Sequence, residues 1–360
     1  VTHSFQTSLA NLGEFGFISR IAAKVGSPYG VITGIGDDAA VTALSPGMQL
    51  LTSTDMLLEN VHFRLSWHEP YRLGRKSLAV SISDIAAMGG IPRWALLSLA
   101  LPPDFSLDVV DEFMRGFLAM AEENRVVLIG GDTCTSRSGL TISVTIMGEQ
   151  IPDRIIRRAG ALPDDDIWVT GTLGDAALAL ALVESAGSGS AQPLGGNREI
   201  TDILSARDSL SGVEGRDALL SRLLDPSPRV AVALALAEAG LANAMIDISD
   251  GVLADFGHIA GQSNVGGRLH PEDLPLSPAF RSQTALLSRS PLYLALSGGE
   301  DYELCFTSDR SNREKISQCV KKCGIAATRI GIVTSFSGVS VVSSDGAHYE
   351  TPTRGFNHFA

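Results

Sequence analysis

The sequence predicts a mixed α/β (α+β) protein of two domains, and three observations carry that expectation. The chain has 360 residues, which is two domains' worth at about 100 to 200 residues each. Apolar runs of strand length alternate with longer helical patterns in both halves. A break falls at Ala159 to Asp166, where Gly160, Pro163 and three consecutive aspartates interrupt the apolar pattern. The expected domains are therefore residues 1–158 and 159–360.

Taken in order, Leu12 to Val25 has helical periodicity, and Gln49 to Thr54 is a short apolar run ending in polar residues, as a strand does before a loop. Pro70 to Met88 reads as a helix closed by Gly89, Gly90 and Pro92. Trp94 to Leu101 alternates toward a strand and Leu107 to Asn124 is helical. Val126 to Ile129 reads as a buried strand feeding a tight turn at Gly130, Gly131 and Asp132, and Leu140 to Gly148 is a further strand. In the second half, strands are expected at Ile167 to Gly171, Ala244 to Ile248, Ile325 to Val333 and Gly338 to Ser343. Helices are expected at Asp175 to Glu184 and Arg229 to Ala239. Asp250 is a candidate N-cap for the segment Val252 to Ala260. Between Ser185 and Glu214 the chain turns to Gly, Ser, Gln and Asn, the composition of a mobile surface insert (185–214).

Composition narrows the function classes. With 44% hydrophobic and 19% charged residues the chain can build large cores. A net charge of −12 repels nucleic acid and anionic membrane. The most apolar stretch, Val230 to Ile246, is broken by Glu238, Gly240 and Asn243 and falls short of the roughly 20 apolar residues a bilayer span needs. No secretion signal opens the sequence, so a cytoplasmic location is expected. Four cysteines without a Cys-x-x-Cys pair read as ordinary reduced thiols.

Chemistry concentrates in aspartates placed after apolar segments or beside glycine. Gly36-Asp37-Asp38-Ala39-Ala40, Ser53-Thr54-Asp55, Ser83-Asp84, Gly130-Gly131-Asp132 and Asp247-Ile248-Ser249-Asp250-Gly251 hold seven of them. Carboxylates gathered in one site repel unless cations neutralise them. Mg²⁺ suits an oxygen-only donor set, and glycine turns let backbone N–H groups approach phosphates. A metal-bridged nucleotide site is the reading that follows, although each motif alone is an ordinary turn or cap. Asp84 interrupts a helix of small apolar residues, and periodicity places it equally well at a functional site or at the solvent margin. The sequence lacks the Gly-x-x-x-x-Gly-Lys-Ser/Thr loop, the His-Arg-Asp loop and the Gly-x-Ser-x-Gly turn, which excludes the common kinase and hydrolase architectures.

These motifs, joined by Asn60-Val61-His62-Phe63 and Ser297-Gly298-Gly299-Glu300-Asp301-Tyr302-Glu303-Leu304, resemble the bacterial thiamine-monophosphate kinases from about Gly13 to Phe359. The resemblance implies the two-domain fold of aminoimidazole ribonucleotide synthetase and selenophosphate synthetase. In it the N-terminal domain binds ATP and Mg²⁺ and dimerises through its sheet, and the second domain is also α/β. It implies a homodimer and phosphorylation of thiamine monophosphate by ATP with several Mg²⁺ ions, K⁺ being a further candidate ion.

Carried over by motif, the metal ligands are Asp38, Ser53, Thr54, Asp55, Asp84, Asp132, Asp247 and Asp250. Gly131, Asp132, Arg158 and Ser249 are the nucleotide contacts, and His62, Glu300 and Phe356 are the substrate contacts. Without the resemblance, Arg158 reads as a surface charge beside Arg157, and His62 as packing against Phe63 and Trp67. No general base is expected, because the acceptor phosphate is already an anion, and Arg158 is the candidate to offset charge on the transferred group. Two other readings stay open: an ATP-dependent ligase of the aminoimidazole ribonucleotide synthetase type, and a nonenzymatic cation- or nucleotide-binding regulator.

Overall fold

The computed structural model describes residues 9–26, 30–103, 105–187, 215–283 and 290–350. Phe356 and most of the expected insert, residues 188–214, lie outside the described residues. The fold is mixed α/β as expected, and the chain divides into two compact units. The first comprises Val1–Ile82, Pro92–Glu149 and Ser185–Ser211, and the second Ser83–Ile91, Gln150–Glu184 and Gly212–Ala360.

The first unit opens with α1 (Leu9–Ala22), kinked at Gly13, then a short antiparallel pair, β1 (Val31–Thr33) and β2 (Val41–Thr42). Its main sheet is built from β3 (Gln49–Leu58), β4 (Ile91–Leu101), β5 (Val127–Thr135) and β6 (Thr141–Gln150), in the order β3-β6-β4-β5. Strand periodicity decides which side of this sheet is buried. Along β6, Ile142, Val144 and Ile146 alternate into the core, each fully buried. Along β3, Leu51 and Leu57 are buried while Leu50, Thr52 and Met56 face outward.

Helices α2 (Pro70–Ala87) and α3 (Leu107–Glu123) supply the apolar cover. Leu73 of α2, Val110 and Phe113 of α3, and Leu99 and Leu101 of β4 line one apolar seam. Each fully buried side chain of this size contributes about 1.5 to 3 kcal/mol.

Two expectations need correction in this unit. Strand β3 does not stop at Thr54 but runs on to Leu58, so Asp55 is a strand residue and not a loop residue. The Gly130-Gly131-Asp132 segment is not a turn either: it continues β5, paired in parallel with β4, with Gly131 opposite Leu97 and Asp132 opposite Ser98. Glycine serves close approach there, since a Cβ on Gly131 would fall 1.8 Å from the Leu97 carbonyl oxygen.

The second unit is a sheet of β7 (Asp166–Thr170), β8 (Ala244–Asp247), β9 (Gly266–Leu269), β10 (Leu304–Ser308), β11 (Ala327–Thr334), β12 (Gly338–Val342) and β13 (His348–Tyr349). The order is β13-β12-β9-β11-β7-β10-β8, with β9 and β12 parallel and the central β11, β7, β10 and β8 antiparallel. Around it run α4 (Asp175–Gly187), α5 (Arg216–Leu224), α6 (Val230–Ala239), α7 (Val252–Ser263), α8 (Pro278–Gln283), α9 (Pro291–Ser297) and α10 (Arg313–Lys322).

One core joins Val232 and Leu236 of α6, Ile316 and Val320 of α10, and Trp168 and Phe306, whose rings stack at 6.3 Å. The Val230 to Ile246 stretch is thus a helix buried along one face, by Val232, Ala233, Leu236 and Ala237, followed by a buried strand. The three consecutive aspartates are not all linker. Asp166 is fully buried at the start of β7, paired with Arg313 and Arg329, and Asp165 accepts from the Leu162 amide and from Asn243. Among the described residues no helix is long and apolar enough to cross a membrane.

Candidate functional site

In the first unit, alternation along β3 separates the Ser53-Thr54-Asp55 triplet: Ser53 and Asp55 share one face and Thr54 takes the other. Ser81 Oγ of α2 donates to Asp55 Oδ2 at 2.6 Å. The Thr54 hydroxyl is turned to β6, where it donates to the Val144 carbonyl at 3.2 Å and lies 3.1 Å from Thr145 Oγ1. Asp38 is exposed in the bend between β1 and β2, its amide bonded to Asp37 Oδ1 at 2.9 Å. Gly131 and Asp132 are exposed on β5, the opposite edge of the sheet from β3. Two strands intervene, so the strands carrying Asp55 and Asp132 stand about 14 Å apart at about 4.8 Å per spacing. The two aspartates cannot share one ion within this unit.

His62 lies in the turn that follows β3. Its Nδ1 accepts from the Leu58 amide at 3.1 Å and its own amide donates to the Leu58 carbonyl at 3.0 Å, which leaves the ring proton on Nε2. Trp67 carries Arg64 over its ring at 4.8 Å.

In the second unit the site residues gather more closely. Asp247 ends β8 and is buried, and Ser83 Oγ of α2 donates to its Oδ2 at 2.7 Å. Asp84, the next residue on α2, is half-buried. Beyond Asp247 the loop Ile248–Gly251 leads into α7. Asp250 is not the N-cap: that position is Gly251, and the first-turn residue Asp255 does the holding, its Oδ2 accepting from the amides of Ser249 and Asp250 at 3.1 Å each.

Burial pushes the Asp255 carboxyl up to about 8, and the charges of Asp247 and Asp250 add to the rise. Glu300 sits against this loop, its amide donating to the Ser249 carbonyl at 2.8 Å. The approach requires glycine before it, since a Cβ on Gly299 would lie 2.3 Å from the Ser249 oxygen. Arg158 is exposed. Its neighbour Arg157 takes the Met245 amide at 3.0 Å, so the segment runs beside β8 two residues before Asp247.

The structure thus brings together Ser83, Asp84, Asp247, Ser249, Asp250 and Glu300, and, separately, Ser53, Asp55 and Ser81. Sequence reasoning missed three side chains that hold the others: Ser81, Ser83 and Asp255. The two serines were quotable from the Ser-Ile-Ser-Asp run, but a helical serine ordinarily bonds its own backbone, as Ser77 does with the Leu73 carbonyl at 2.6 Å. Nothing local distinguishes them.

The donor set suits Mg²⁺, being carboxylates and hydroxyls without imidazole or thiolate. Burial does most to lift the Asp255 carboxyl, and the negative charges of Asp247 and Asp250, which a cation would offset, add to it. Among the described residues no group of three or more His, Cys, Asp or Glu forms a metal cage. Mg²⁺ characteristically completes its shell with waters and substrate phosphates on one or two carboxylates.

Comparison with known proteins places the fold. Residues 36–150 match the N-terminal domain of AIR synthase related proteins, and residues 163–343 match the C-terminal domain. The thiamine-monophosphate kinase of Escherichia coli O157:H7 is 37% identical over 350 residues, 97% of this chain and 98% of its own length. The crystal structure of thiamine-monophosphate kinase from Stenotrophomonas maltophilia K279a is 38% identical with a TM-score of 0.78, covering 94% of this chain and 98% of that one. AaThiL complexed with AMPPCP and TMP is 33% identical with a TM-score of 0.72, covering 99% and 100%. On identity sustained across nearly the whole of both chains, this protein belongs to the thiamine-monophosphate kinase family.

Proposed function

We propose that the protein transfers the γ-phosphoryl group of ATP to the phosphate of thiamine monophosphate, giving thiamine diphosphate and ADP. The observation that carries this reading is the end-to-end likeness to a solved relative bound to AMPPCP and TMP, together with the gathering of Asp247, Asp250 and Glu300 on one loop pair. The aminoimidazole ribonucleotide synthetase alternative shares the fold, but the relatives reported above are kinases.

An oxygen of the acceptor phosphate forms a bond to the γ-phosphorus as the bond to the ADP oxygen breaks. No proton need be removed first, so transfer is direct and no phosphoenzyme forms. The obstacle is repulsion between anions. Mg²⁺, when bound, supplies charge that lowers this repulsion and orients the phosphate oxygens.

Asp38, Ser53, Thr54, Asp55, Asp84, Asp132, Asp247 and Asp250 are the proposed ligands, with K⁺ as a further ion. Given the strand alternation, Thr54 would contribute through an atom other than its engaged hydroxyl. Gly131, Asp132, Arg158 and Ser249 contact the nucleotide, Arg158 offsetting charge on the γ-phosphoryl oxygens. His62 presents its Nε2 proton to the substrate, and Glu300 and Phe356 complete that side. Ser81 and Ser83 hold Asp55 and Asp247 in fixed rotamers.

We assign nucleotide binding and dimerisation to a domain of residues 1–158, and the second α/β core to residues 159–360. The homodimer reading is supported by β3, an edge strand showing Leu50 and Met56 to solvent at 49% and 55% exposure. The cytoplasm suits four cysteines that are all unpaired.

Incubation with ATP, Mg²⁺ and thiamine monophosphate, followed by chromatography and ³¹P NMR, tests the reaction. Thiamine diphosphate and ADP should appear in equal amounts. ATP turnover without thiamine diphosphate would refute the kinase reading.

A further inference from the structure

The segment between α9 and β10 holds a conformation that ordinary side chains avoid. Glu300 and Tyr302 both have left-handed backbones, with φ of 69° and 49°, and neither is glycine or asparagine. Such strain persists only where the surroundings over-determine it. Here the amides of Glu300 and Tyr302 donate to the carbonyls of Ser249 and Ile248 at 2.8 Å each, and the Ile248 amide returns to the Glu303 carbonyl at 2.8 Å. These bonds lock the turn to the Ser249–Asp250 loop along one side. The carbonyl between the two strained residues, that of Asp301, is held by Arg222.

Arg222, in the last turn of α5, reaches three acceptors with one nitrogen. Its Nη2 donates to the Asp301 carbonyl at 3.0 Å, to Glu303 Oε1 at 2.8 Å and, more weakly, to the Thr172 carbonyl at 3.4 Å. Glu303 is fully buried and is also held by Arg229, whose Nε donates at 2.6 Å, and by Thr170 Oγ1 at 2.7 Å. The two arginines therefore differ in a useful way. Both neutralise Glu303, but only Arg222 also grips the backbone of the strained turn.

Resting on the kinase reading above, we propose that Arg222 is a positioning residue for substrate binding, fixing the Glu300–Tyr302 turn so that Glu300 meets thiamine monophosphate. Reach suits the guanidinium to the task, because Nη2 lies one bond farther from Cα than a lysine Nζ, so a lysine ammonium that still neutralises Glu303 falls short of the Asp301 carbonyl.

The test compares Arg222→Met, Arg222→Lys and Arg229→Met. Arg222→Met and Arg222→Lys should raise the KM for thiamine monophosphate about tenfold and leave the KM for ATP within about twofold. Arg229→Met, which loses a partner of the same buried charge, should leave the ratio of the two KM values near that of the unaltered protein. Equal ratios in all three variants would reduce Arg222 to a structural ion pair and overturn the proposal. If Arg222→Met does not fold, Arg222→Lys decides, since it keeps the charge on Glu303.

Hydrogen exchange of the Tyr302 amide in the ligand-free protein separates this proposal from the kinase reading. Exchange should be at least tenfold faster in the Arg222 variants than in Arg229→Met. Faster exchange in a protein that makes no thiamine diphosphate would uphold the positioning role and refute only the reaction. Unchanged exchange would overturn the positioning role whatever the reaction.

Discussion

A carboxyl in the core must either find a counter-charge or keep its proton, and Asp301 does the second. It is 1% exposed, its Oδ2 takes the Gly174 amide at 2.8 Å, and its Oδ1 is buried with no hydrogen-bond partner among the described residues. Burial pushes it up to about 8, against the opposing pull of Arg222. Below its ordinary value of 3.8, folded and unfolded chains both hold the proton and its contribution to stability is fully present. Above that, only the folded chain keeps the proton, so stability falls by up to about 1.4 kcal/mol per pH unit until the folded group ionises near pH 8. Asp301→Asn removes this dependence. Urea unfolding at pH 5, 6 and 7 should show the variant gaining on the unaltered protein by about 1 kcal/mol per unit, whereas parallel curves would mean that Asp301 is ionised in the fold. Asp55 presents the opposite case, a carboxylate meant to be charged. Asp55→Asn preserves an oxygen for the Ser81 hydroxyl but removes the charge, so turnover should fall at least about 100-fold, or about 2.7 kcal/mol, with the unfolding midpoint unchanged or raised. Near-normal turnover would strike Asp55 from the ligand set.

At the scale of elements, β3 joins sequence to assembly. Its alternation buries Leu51 and Leu57 and leaves Leu50, Thr52 and Met56 outward on a strand that is the edge of its sheet among the described residues. A ten-residue edge strand with outward apolar residues invites pairing unless covered, and a second copy is the proposed cover. Met56→Lys should yield monomers in sedimentation velocity while keeping the circular dichroism of the unaltered protein. A Met56→Lys dimer of undiminished stability would place the contact elsewhere. Elements of this length were legible in the sequence: α2, α3 and α6 stand within two residues of their periodicity, because an amphipathic or wholly apolar run has one way to bury itself. Among the shortest strands only β8, four apolar-rich residues that end on Asp247, was legible. β1, β2, β9 and β13 span two to four residues, too few for a period to declare itself, and β10 was hidden behind the motif that precedes it. Gly130 and Gly131 misled for a different reason, since glycine marks close approach inside β5 as readily as a turn.

For the whole molecule, the acidic motifs were legible as a set, but their partners were not, because hydrogen bonds such as Ser83 to Asp247 join residues 164 positions apart. What the sequence does state is the charge, −12 over the chain, and it makes a demand on ligand binding. A triphosphate approaching Asp247, Asp250 and Asp255 meets a cluster of carboxylates, in which the charges of Asp247 and Asp250 add to the raised proton affinity of the buried Asp255. Nucleotide binding should therefore require the divalent cation, not merely improve with it. Thermal unfolding with a nonhydrolysable ATP analogue and Mg²⁺ should show a rise corresponding to about 2.7 kcal/mol at a hundredfold excess over Kd, and addition of thiamine monophosphate should raise it further. With EDTA in place of Mg²⁺ the analogue should give no rise, and Asp247→Asn should weaken the rise seen with Mg²⁺. A full rise in EDTA would show that the nucleotide is held by the protein's own cations, and the acidic residues would then need a different role.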